Sequence, residues 1–320
     1  MDSWSKQLSF YDGWIYVEFF LILTGYFTRR HFDSKENKKT VKASIVYTIN
    51  KFLPLIPYTV VAILLMWSLD GIVEIIEGKQ TIIGFLISFF KDYIFSVLLV
   101  VESYRHSLVN HLWYLSAMFI IFPLFSTIVQ LKDRYILMTI SILYSLVYYG
   151  AVGITGATEF PIGILRVLAG LFLGVFVYES TYVFEYYITQ ANRNIVLGLE
   201  LFTFAFPIVS SFYNLELYRF SILCFMANIA IMCSGVSCFK NLKGKLIINY
   251  LGKLSVPIYI NHLVIGKSIY YLGLKLQWTE KIEVVLYFLI TLIVSAVAMF
   301  FVEHWKWFQQ VIRAPIILKE

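Results

Sequence analysis

The stretch SVPIYINHLVIG, residues 255–266, lies in the middle of a long apolar segment, yet it holds a serine, a proline, a tyrosine and a histidine among aliphatic residues. Its flanks continue apolar, so residues 250–268 form a window of the length a helix needs to cross a bilayer. Working outward, similar windows recur at 14–28, 53–69, 111–130, 135–150, 161–179, 195–213, 219–237 and 283–302. In hydrocarbon only helices and closed barrels satisfy their own backbone, and a barrel would show segments of about ten residues with alternating polarity. These runs are continuous. The sequence therefore predicts an all-α, polytopic integral membrane helix bundle of about nine spans, read as a single membrane-embedded domain over residues 1–320.

Composition agrees. Of 320 residues, 59% are hydrophobic and only 14% charged, well below the quarter of charged residues usual in a soluble domain. The formal charge of +6 collects between spans and forms no basic stripe with interleaved aromatics, so lipid is the expected surrounding partner and nucleic acid is not. Cys224, Cys233 and Cys238 fall in or just beyond one apolar segment with no CxxC pair and no zinc-ligand spacing, which makes them packing residues. No metal spacing, Gly-rich phosphate loop or Gly-x-Ser-x-Gly elbow is present. The first apolar run lacks the flanks of a cleavable signal peptide.

Positive charge sets the direction. The loop RRHFDSKENKKTVKAS, 29–44, carries six Lys and Arg residues and should face the cytoplasm. The segment IIGFLISFFKDYIFSVLLVV, 82–101, is long enough to cross but places Lys91 and Asp92 at its centre. If it crosses, the basic loops around Lys132 and Lys240 are pushed outside. It is therefore read as an interfacial or re-entrant segment on the outer side. The C-terminus is then cytoplasmic and the N-terminus outside, with Lys267, Lys275 and Lys281 in an outer loop that counts against the scheme.

Several polar residues sit inside spans. Ser255, Tyr259 and His262 are spaced to share one helix face with Gly266, and Pro257 is expected to kink the helix beside them. That stripe either lines a substrate cavity or glues helices together. His111 lies at the outer end of its span with Trp113 and Tyr114, as a functional group or as part of an aromatic belt. Glu18, one turn into the first span, needs a cation, and Arg166, one turn into its own span from the same side, is the candidate partner. Gly170 and Gly174 form a small-xxx-small face for close packing.

Four stretches resemble the membrane acyltransferase-3 family, which contains the O-acyltransferases of bacterial surface glycans. GWIYVEFFLILTGYF (13–27) is similar to its early span with an acidic residue and paired aromatics, and INKFLPLIPY (49–58) to the basic residue and proline that open the next. NHLWYLSAMFI (110–120) matches its Leu-Trp-aromatic-Leu-Ser signature, and LGKLSVPIYINHLVI (251–265) its Leu-Gly-Lys-x-Ser and Tyr-x-x-His stretch. The resemblance implies an acyl-CoA co-substrate, most simply acetyl-CoA, and a glycan acceptor. It implies catalytic roles among His262, Glu18 and His111, and substrate contacts from Tyr259, Ser255, Arg166, Trp113 and Tyr114. Lys51, Arg29 and Arg30 would take the coenzyme A phosphates, although ordinary positive-inside residues look the same. The family also has an earlier span with an arginine and a base histidine. This chain starts after that point, so a truncated start, an upstream start or a second chain supplying the helix is expected. Two other functions remain open: a transporter or flippase of small polar or lipid-linked molecules, and an inactive relative.

Overall fold

A computed structural model of the chain describes residues 15–34, 40–90, 112–131, 133–152, 161–189, 193–213, 215–242 and 245–304. Every described element is a helix, and each apolar window lies on one. The helices are α1 (Tyr16–Asp33), α2 (Val41–Phe52), α3 (Ile56–Ile76), α4 (Ile82–Ser88), α5 (Trp113–Ile128), α6 (Arg134–Val147), α7 (Ile162–Thr189), α8 (Arg193–Phe212), α9 (Tyr218–Cys233), α10 (Leu246–Leu276) and α11 (Glu280–His304). A short 3-10 turn at Leu53–Leu55 joins α2 to α3, so that Val41–Ile76 forms one apolar run. Among the described residues, five runs are long and apolar enough to cross a membrane: Val41–Ile76, Arg134–Val152, Ile162–Thr181, Arg193–Phe212 and Glu280–His304. α5 and α9 are shorter apolar helices. Large aliphatic and aromatic side chains, among them Leu143, Phe204, Leu223 and Phe301, are exposed along these helices, as a lipid-facing surface requires.

The chain divides into two compact units, Met1–Ser44 with Ile121–Lys245, and Ile45–Ile120 with Leu246–Glu320. The first is built on α1 and α7, which approach until their backbones touch. A Cβ on Gly25 would collide with the carbonyl of Leu171, and one on Gly174 with the carbonyl of Ile22 and the amide of Tyr26. Gly170 meets the side chain of Leu21 in the same seam. The small-xxx-small reading of Gly170 and Gly174 thus describes the tightest contact in this unit. α6 is stapled to α7 by Ser145, whose Oγ donates to the carbonyl of Ala169 at 2.9 Å. Aromatic side chains of α1 and α9, such as Phe19 and Phe225 with centroids 5.5 Å apart, complete the core.

In the second unit α3 turns back through Glu77–Thr81 into α4. Trp67 stacks on Phe85 at 4.2 Å and donates Nε1–H to the Phe85 carbonyl at 3.2 Å. Gly71 leaves room for that ring. The described part of the 82–101 segment is therefore a short helix folded back on α3, while Lys91 and Asp92 lie outside the described residues. In the turn itself, the hydrogen bond to Glu77 holds the Lys79 ammonium above the ordinary lysine range. α10 and α11 form an antiparallel hairpin, with Lys253 near the start of one 2.8 Å from Glu303 near the end of the other.

One expectation is corrected here. Lys267 is no loop residue: α10 runs on to Leu276, and Lys267 makes an ion pair with Asp70 of α3. Lys275 lies in the last turn of α10 and Lys281 in the first turn of α11, so all three lysines expected in an outer loop are helix residues.

Candidate functional site

Among the described residues, intramembrane polar side chains gather into clusters within each unit. In the first unit the Glu18 carboxylate is entirely buried near the start of α1. Its Oε1 accepts from Arg166 Nε at 2.7 Å, and its Oε2 accepts from the Tyr149 hydroxyl. Arg166, near the start of α7, is 1% exposed. The expected partnership of Glu18 and Arg166 is present, with Tyr149 as a third member. Gly170 stands beside Glu18 because a larger residue would meet its Oε2. Removing either charged partner would strand the other in a low-dielectric interior, which is strongly destabilising.

At the other end of the same helix pair the charges change carriers. Arg29 of α1 donates from Nε to Glu179 of α7 at 2.5 Å, and from Nη1 to the Val129 carbonyl at 3.0 Å. Arg134, at the start of α6, adds a second cation 2.8 Å from Glu179 and also reaches its backbone carbonyl. Arg29 also faces Asp33 at 3.6 Å, and Asp33 accepts from Tyr178 at 2.8 Å. Because Glu18 meets Arg166 near both helix starts while Arg29 meets Glu179 further on, α1 and α7 run parallel. α6 runs antiparallel to both, with Arg134 at one cluster and Tyr149 at the other.

The second unit holds the aromatic and histidine cluster. His262 is half-buried in α10, its Nδ1 2.5 Å from the carbonyl oxygen of Tyr259. A carbonyl only accepts, so Nδ1 carries the proton and Nε2 is left as the basic nitrogen. The rings of Tyr259 and His262 lie 5.5 Å apart, and Tyr114 of α5 meets Tyr259 edge-on at 5.2 Å. Trp113 is buried beside Tyr114, with centroids 6.3 Å apart. Ser255 turns its hydroxyl back to the Gly252 carbonyl at 2.8 Å, one turn before Tyr259. Helix α10 continues through Pro257, whose carbonyl accepts from Asn261 Nδ2 at 2.9 Å.

The structure thus brings Glu18 to Arg166, and His262 to Tyr259, Tyr114 and Trp113. It does not gather the three basic residues into one pocket within a unit. Arg29 is buried on Glu179, whereas Arg30 is exposed at the end of α1. Lys51 is half-buried in α2, its ammonium 5.7 Å over the Tyr47 ring. His111 lies outside the described residues. Sequence reasoning missed Tyr149, Glu179, Arg134, and Asp70 with Lys267. A usable sign was the order of charges, acid then base on α1 and base then acid on α7, at similar spacing.

Among the described residues, no group of histidine, cysteine and carboxylate side chains could hold a metal. What remains is a helical membrane protein with ionisable groups buried within its units, a pattern that marks substrate or proton pathways. Its class follows from the model of the acyltransferase-3 family, an acyltransferase domain, which matches residues 2–300. The chain belongs to that family and is a membrane acyltransferase. No curated protein and no solved structure matches it significantly.

Proposed function

We propose that the chain moves an acyl group, acetyl in the simplest case, from a cytoplasmic acyl-CoA to a hydroxyl of a surface or exported glycan. The observation that carries the chemistry is the orientation of His262, with Nδ1 held by the Tyr259 carbonyl and Nε2 left basic. Nε2 takes the proton of the acceptor hydroxyl as its oxygen attacks the thioester carbonyl. The C–S bond then breaks, and the imidazolium returns the proton to the departing thiolate. Tyr114 and Tyr259 shape the wall beside the imidazole. Arg30 and Lys51 are the basic residues proposed to meet the coenzyme A phosphates, while Arg29 fixes α1 against α7. In this reading nine helices span the membrane, with the C-terminus on the cytoplasmic side and the N-terminus outside.

The test is transfer of labelled acetyl from acetyl-CoA to membrane glycan by the full chain in nanodiscs. His262→Gln is expected to lower the rate about a hundredfold or more. An unchanged rate removes His262 from the chemistry. Labelled product on lipid or protein in place of glycan removes the proposed acceptor.

A further inference from the structure

α6 ends in a single π-helical turn, Tyr148–Val152. Such turns are rare and occur frequently at functional sites. Here two successive tyrosines both point inward, Tyr148 4% and Tyr149 8% exposed, with their rings edge-on at 5.4 Å. Their hydroxyls differ. That of Tyr149 is bonded to Glu18. That of Tyr148 is buried and has no hydrogen-bond partner among the described residues, although it lies within electrostatic reach of Arg166 and Glu18. A hydroxyl kept from water without a partner is destabilising, and a phenylalanine would fill the same space without that penalty. Among the described residues nothing bonds to this oxygen.

We infer that the Tyr148 hydroxyl is a contact for the neutral, hydroxyl-bearing acceptor, at a site formed with Glu18, Arg166 and Tyr149. The inference rests on the acyl-transfer reading for the class of molecule bound. The charge of the cluster selects acceptor over donor. Glu18 already neutralises Arg166, so the cluster is polar without net charge. A phosphate group would lose its water there and meet a cation already compensated. A sugar hydroxyl can accept from Tyr148 and donate to a remaining lone pair of Glu18. Tyr149 positions the carboxylate for this by holding Oε2.

The experiment measures thermal stabilisation of the full chain in nanodiscs by glucose, galactose, rhamnose and N-acetylglucosamine, with acetyl-CoA as the anionic counter-probe. Three proteins are compared: wild type, Tyr148→Phe, and Tyr144→Phe. Tyr144→Phe removes a hydroxyl of the same helix that is already bonded to the Leu165 carbonyl. At least one sugar is expected to raise the unfolding midpoint of wild type and of Tyr144→Phe. In Tyr148→Phe the half-saturating concentration of that sugar should rise about tenfold, while the unliganded midpoint stays level or rises. The inference is overturned if none of the four sugars shifts wild type, if Tyr148→Phe binds as wild type does, or if the shift lost in Tyr148→Phe is that of acetyl-CoA. Sugar binding through Tyr148 in a chain that transfers no acetyl group leaves this inference standing and removes the acyl-transfer reading. Acetyl transfer indifferent to Tyr148→Phe does the reverse.

Discussion

The two ends of the α1–α7 pair use the same chemistry in different surroundings. At one end Glu18 and Arg166 are sealed from water, and Tyr149 shares the carboxylate. At the other, Glu179 is equally buried but has two guanidinium partners, and the Arg134 side chain is 41% exposed. At the first end, among the described residues, Glu18 meets one cation. The second has a spare cation and access to solvent. A buried ion pair is strongly sensitive to loss of one partner, while an exposed one contributes little. The Glu18 end should therefore be brittle and the Glu179 end tolerant, although both hold the same two helices.

Arg166→Ala tests the contrast most severely, because it strands Glu18. It should destabilise the protein by about 3–5 kcal/mol in reversible unfolding from mixed micelles, and the double change Glu18→Gln with Arg166→Met should recover most of that loss. Next comes the seam between the ends. Gly174→Val puts a side chain against the α1 backbone and should cost about 3 kcal/mol by the same assay, as an overpacked core does. Arg29→Ala removes bonds to a charged group but leaves Arg134 on Glu179, so a loss of about 2 kcal/mol is expected. If it matches Arg166→Ala, the two ends do not differ and the argument from the spare cation fails. Arg134→Ala is the mildest, about 1 kcal/mol or less, and its effect should shrink further at high salt because that pair reaches water.

Much of the fold was legible because lipid leaves a sequence few choices: an apolar run must be a helix, and each such window is one. Glu18 and Arg166 were legible as partners because each stands one turn into its span from the same side. The limits have physical causes too. Tyr149 lies at the end of an aromatic-rich window where belt tyrosines are commonplace, and only the π-turn shows that it and Tyr148 face inward. Asp70 falls one residue beyond the window 53–69, and its partner Lys267, one residue from the end of the window 250–268, reads as the start of a loop because α10 extends past that window to Leu276. Spacing along one helix defines a face. Which face meets which depends on the depth at which two helices pack, and that is a tertiary property.

The parallel run of α1 and α7 also carries a condition of parity. A chain that passes through a bilayer twice in the same direction must pass back an odd number of times in between. α2 with α3, α5 and α6 supply three passages if each crosses once. Where both helices of the pair cross, two ion pairs within the first unit thus fix the parity of everything threaded between them.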